Sequence, residues 1–79
     1  MSTIHLNGAP APLAAGTTVA DLVAAVTGRA ILPTGQPADG RRLGVAVARN
    51  ADIVPRSRWS QTAVETDDDV EIVTAVQGG

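Results

Sequence analysis

The chain has 79 residues, 44% apolar and 18% charged, which suits one small folded domain and argues against wholesale disorder. Its formal charge of −2 sets eight acids against six arginines, scattered apart from Arg41-Arg42 and the Arg56/Arg58 pair, so no basic stripe for nucleic acid forms. With no Cys, no Lys, no Tyr and a single His, disulfides, thiolate metal sites, thiol nucleophiles and Schiff-base chemistry are excluded, and general acid–base catalysis has little to draw on.

Thr3-Ile4-His5-Leu6 alternates with Ile4 and Leu6 on one face, which predicts a first strand ending at Leu6 or Asn7. Asn7-Gly8 then suits a tight hairpin turn. A second strand is expected around Ala11 to Ala14. Pro10 and Pro12 lack an N–H and so confine it to a sheet edge. From Val19 the period changes to 3.6, with Val19, Leu22, Val23 and Val26 on one helical face. Thr18 is the expected N-cap, Asp21 stands three residues on as its capping-box partner, and Gly28 ends the helix. Residues 28–42 contain Pro33, Gly35, Pro37 and Gly40, read as an exposed loop that the fold can spare. Gly35 and Gly40 form no phosphate loop, because no Gly-Lys-Ser/Thr follows.

Leu43 to Arg49 alternates again with Leu43, Val45 and Val47 inward, Asn50-Ala51 is a turn, and Ile53-Val54 a short strand that Pro55 interrupts. Ser57-Arg58-Trp59-Ser60 predicts a short turn or single helical turn. Its Trp59, the only aromatic residue, is expected to be a core lid. Asp67-Asp68-Asp69 has the charge of a hard-cation site without the ligand spacing of a calcium loop, and is read as a solvated turn. Val70 to Val76 closes the chain as a β-branched strand with Val70 and Ile72 inward, and its composition suits a central position parallel to the first strand. His5, facing away from Ile4 and Leu6, reads as ordinary surface. The order β-β-α-β-β-β predicts an α+β fold, a mixed four- to five-stranded sheet with one main helix packed on one face.

The alternation leaves Ala46, Ala48, Val73 and Ala75 facing outward, an apolar surface suited to a partner. After the last strand the chain runs through Gln77 to Gly78-Gly79, expected to be a flexible tail. Two glycines there let the backbone enter a narrow channel and leave the carboxylate unhindered.

The stretches Ile4-His5-Leu6-Asn7-Gly8, Thr17-Thr18-Val19-Ala20-Asp21-Leu22 and Val45-Ala46-Val47-Ala48-Arg49-Asn50 resemble the ThiS family of sulfur carriers of thiamine biosynthesis. So do Ile53-Val54-Pro55-Arg56-Ser57-Arg58-Trp59 and the run from Val70 to Gly79. The likeness spans nearly all the chain except residues 29–42, where the loop looks longer than the family's. It departs also at Asp68-Asp69, where the family usually has a Gly-Asp turn. The resemblance implies a single ubiquitin-like β-grasp domain over residues 1–79, acting as a carrier and not as an enzyme. A ThiF-like activating enzyme would adenylate Gly79 with ATP and magnesium, a cysteine desulfurase would supply sulfur, and a ThiG-like thiazole synthase would consume the resulting thiocarboxylate. No cofactor is expected on the carrier itself. A molybdopterin-synthase small subunit and a ubiquitin-like protein modifier share the terminal Gly-Gly, and Pro55-Arg56-Ser57-Arg58-Trp59 favours the thiamine branch. The longest apolar run falls short of the ~20 residues that span a bilayer. The N-terminus lacks the basic start and apolar stretch of a secretory signal, so the expected setting is a cytoplasmic monomer.

Overall fold

The computed structural model describes residues 2–40 and 44–74. Strands β1 (Ser2–Leu6) and β2 (Ala9–Leu13) form an antiparallel hairpin, and helix α1 (Val19–Thr27) follows. Strand β3 (Val45–Arg49) turns into β4 (Asp52–Ile53), a 3-10 helix spans Arg56–Gln61, and β5 (Asp69–Thr74) comes last. The five strands lie in the order β2-β1-β5-β3-β4, with β5 parallel to β1 and antiparallel to β3. The most β-branched strand therefore sits at the centre, as its composition suggests.

Both two-residue hairpin turns require positive φ, and an asparagine opens each. Asn7 and Gly8 have φ of 52° and 82°, and Asn50 and Ala51 have 52° and 70°. The same asparagines fasten β5 from either side. Asn7 Oδ1 accepts the Ile72 N–H at 2.8 Å, and Asn50 Oδ1 accepts the Asp69 N–H at 2.9 Å.

Helix α1 begins with the expected capping box: the Asp21 N–H donates to Thr18 Oγ1, and the Thr18 N–H donates to Asp21 Oδ2 at 2.9 Å. Gly28 closes it at φ 70°, its N–H bonded to Ala24 O. Strand periodicity puts Ile4, Val47, Val70 and Ile72 into the core against Val19, Ala20 and Val23 of the helix, with Trp59 and Val64 filling the remainder. Val26 departs from the expected stripe. It is 41% exposed, because burial along α1 ends one turn earlier at Val23. Val64 was not singled out by periodicity. It is carried inward by the segment before β5, where the Val64 N–H donates to Thr17 O and the Val19 N–H donates to Thr62 O, both at 3.0 Å.

Residues 28–40, within the segment read as an exposed loop, are largely exposed, yet Gly35 and Pro37 are buried and Ile31 packs against the core. Ile31 bridges Pro37, and Ser60 Oγ donates to Pro33 O at 2.8 Å. At Gly35, with φ +87°, a Cβ would overlap the Cγ and carbonyl of Arg56. Glycine is what lets this loop lie against the 3-10 helix. Small polar composition predicts exposure and carries no signal for such a contact. Leu43, expected inward, lies outside the described residues.

Candidate functional site at the end of the central strand

Strand β5 starts between β1 and β3 and reaches Thr74 beside Val45 of β3, and the chain continues from there into residues 75–79. Gly79, Gly78, Gln77 and Ala75, the expected tail and part of the expected partner surface, lie outside the described residues. What the fold supplies is the position from which they depart and the surface beside it.

On the sheet face opposite the core, Ala46 stands in register with Val73, and Ala48 pairs with Glu71 on one side and Ile53 on the other. Val73 is 61% exposed, Ala46 is exposed and Ala48 half-buried, so all three lie on the predicted outward side. Ile53, 73% exposed, adds to this surface. The sequence reading assigned Ile53 to a short strand without a face, because two residues carry no usable alternation. Glu71 interrupts the apolar set, placing one charge beside Ala48. His5 is exposed on the other side of β5, in register with Asp69.

The beginning of β5 is held by a buried carboxylate. Asp68 is 7% exposed and accepts from Arg49 Nε at 2.7 Å, from Asn50 Nδ2 at 3.0 Å and from the Glu65 N–H at 2.8 Å. Burial alone would raise its pKa. The Glu65 N–H, the Arg49 and Asn50 side chains and the Arg49 charge outweigh that, holding the carboxyl below its ordinary 3.8. This corrects the reading of the Asp67–Asp69 run as wholly solvated: its middle member is a structural anchor. The left-handed residue of the turn is Asp67, at φ 68°, and not Asp68. Among the described residues no three His, Asp or Glu side chains gather as a metal-binding group.

Trp59 is buried as expected, its Nε1–H donating to Val54 O at 3.0 Å with the Arg56 guanidinium 5.1 Å above its ring. A surface hollow lined by Thr3, Pro10, Ala11 and Pro12 holds neither an acid nor a strong nucleophile. Among the described residues no helix is long and apolar enough to cross a membrane.

A mixed five-stranded sheet, its first and last strands parallel at the centre and one helix across a face, defines a ubiquitin-like β-grasp protein. The chain belongs to the ThiS family, whose family model matches residues 4–79. Among solved structures it is similar to the thiamine biosynthesis protein ThiS from Geobacter metallireducens. The likeness has 24% identity and a TM-score of 0.64, and it covers 98% of this chain and 99% of that one, which establishes a common fold. No curated protein matches.

Proposed function

We propose that this protein is a sulfur carrier for thiazole formation in thiamine biosynthesis, a co-substrate of other enzymes and not itself a catalyst. The observation that carries this reading is the family match, which runs from Ile4 through the terminal Gly78-Gly79 pair. The chemistry belongs to the Gly79 carboxylate. A ThiF-like enzyme using ATP and magnesium directs a carboxylate oxygen onto the α-phosphorus, pyrophosphate leaves, and the acyl adenylate becomes an electrophile. The terminal sulfur of a desulfurase-derived persulfide attacks the acyl carbon and AMP departs. A thiol then cleaves the S–S bond, leaving a thiocarboxylate for a thiazole synthase. The carrier contributes a backbone end without Cβ hindrance, and a sequence free of Cys offers no competing thiol.

The face carrying Val73, Ala46 and Ala48, extended in sequence by Ala75, serves as the docking surface for both enzymes. Its small side chains allow a flat partner surface to approach the sheet closely. Intact-mass analysis after incubation with the activating enzyme, ATP and a sulfur donor tests the function. A carrier gains the mass difference of sulfur replacing oxygen. A protein modifier would instead appear in isopeptide adducts, and an interaction domain would show neither change.

A further inference from the structure

A strand that outlasts its neighbour leaves backbone groups facing open space, and β5 does so on one side. The Asn50 N–H donates to Asp69 O at 2.7 Å, so antiparallel alternation directs the backbone groups of Asp69, Glu71 and Val73 toward β3. Those of Val70, Ile72 and Thr74 therefore point toward β1. Strand β1, however, pairs with β5 only at His5 with Asp69 and Leu6 with Val70, and then turns back at Asn7-Gly8. The Asn7 N–H reaches Val70 O at 2.9 Å, and its side chain takes the Ile72 N–H. Past that point, among the described residues, the Ile72 C=O and the Thr74 N–H have no strand beside them.

The outer edges of the sheet offer less. The two-residue turn makes Leu6 and Ala9 a hydrogen-bonded pair, so Ala9, Ala11 and Leu13 bond to β1 while Pro10 and Pro12 face outward. Neither proline has an N–H to give. At the opposite edge β4 is two residues long. The end of β5 thus presents an acceptor and a donor in strand geometry, immediately before the five residues that continue the chain.

We propose that the Ile72 C=O and the Thr74 N–H form a pairing edge for an extended strand of the enzyme that activates the C-terminal carboxylate. The assignment of that partner rests on the carrier reading. Residues 75–79 span at most about 17 Å fully extended. A partner that grips the backbone at Thr74 therefore sets the direction in which the terminal carboxylate leaves the fold. Main-chain pairing supplies affinity without reading side chains, while the neighbouring Val73 face supplies apolar contact on the same strand.

The test is Thr74→Pro, with Thr74→Ala as the side-chain control. Proline removes an N–H that β3 does not use, and Val73 before it is already extended, as a residue preceding proline must be. Affinity for the purified activating enzyme and the rate of pyrophosphate release are measured, together with amide hydrogen exchange at Thr74 in the wild-type chain, free and in complex. Binding roughly tenfold or more weaker for Thr74→Pro, near-normal for Thr74→Ala, is expected. The Thr74 amide should exchange freely in the isolated chain and become protected in the complex. If Thr74→Pro fails to fold, the wild-type exchange measurement decides. Normal adenylation with unchanged Thr74→Pro affinity overturns the pairing edge alone, as does protection of Thr74 in the free chain, whether by an internal bond or by a second copy. A wild-type chain that is not adenylated at all overturns the carrier reading, and the assignment of this partner with it.

Discussion

Among the described residues, Asn7, Asn50, Ala51 and Asp67 carry positive φ without being glycine. Asn and Asp tolerate that region, whereas alanine at φ 70° strains against its own Cβ by roughly 1–2 kcal/mol. Replacing Ala51 with Gly should therefore raise stability by about 0.5–1 kcal/mol after the extra unfolded-state entropy is set against the relief. A higher urea midpoint with an unchanged slope checks this. Asp68 works in the opposite sense. Substitution by Ala leaves Arg49, Asn50 and the Glu65 N–H without their acceptor, and should cost about 2–4 kcal/mol. Its pH signature has a definite sign. The folded-state pKa lies below the unfolded value near 3.8, so the stabilisation is complete above that pH and is lost as pH falls through the folded pKa. Asp68→Asn, lacking this titration, should be less stable at neutral pH and lose less on acidification below about pH 4 in thermal melts. A triple-aspartate run looks solvated in sequence because nothing in it shows that Arg49 and Asn50 arrive from another strand.

At the level of elements, local signals were legible where a short-range rule governs them. The Asn7-Gly8 turn, the Thr18/Asp21 capping box and the Gly28 terminus each depend on residues within four positions of one another, and each was readable. The 28–40 segment was harder because what holds it is distant: Gly35 is specified by Arg56, and the backbone carbonyl of Pro33 is held by Ser60. A Gly35→Ala substitution combines unfavourable φ with overlap on the Arg56 backbone and should lower stability by about 2 kcal/mol or more. A melting temperature unchanged from wild type would show that the loop does not need this approach. Shortening residues 29–40 to a simple turn should likewise lower the melting temperature, since it removes Ile31 and Pro37 from their packing. The open face of β5 and β3 gives the complementary case. Val73 is 61% exposed, so Val73→Asp should leave folding nearly intact while weakening both the activating enzyme and the thiazole synthase, because a charge would be buried unpaired in each complex. Paired measurements of affinity and thermal stability test it, and unchanged affinity for both enzymes would remove this face from the docking surface.

On the scale of the whole molecule, the parallel pairing of β1 with β5 sends the C-terminal strand through the middle of the sheet, and the core closes over it with Ile4, Val23, Val47, Trp59, Val70 and Ile72. The strand from which the chain continues into residues 75–79 is thus anchored in the core through Val70 and Ile72, while its last residues pair with β3 alone. The central position of β5 was suggested by its β-branched composition, but pairing partners and order are long-range facts that periodicity does not encode. The proposed site rests on a different kind of signal, the Gly78-Gly79 motif and the resemblance around it: the proposed chemistry needs a backbone end and no cluster of side chains, and these residues lie outside the described ones. Everything proposed for the function converges on the Gly79 carboxylate. The most direct test is to incubate the wild-type chain and a Gly79 deletion with the purified activating enzyme, ATP and a sulfur donor, and to locate any added sulfur by mass spectrometry of the C-terminal peptide. The account predicts a thiocarboxylate on Gly79 of the wild type and an unmodified deletion variant that melts at the same temperature; sulfur loading of the deletion variant at the wild-type level, or a wild-type chain that gains no sulfur, would contradict it.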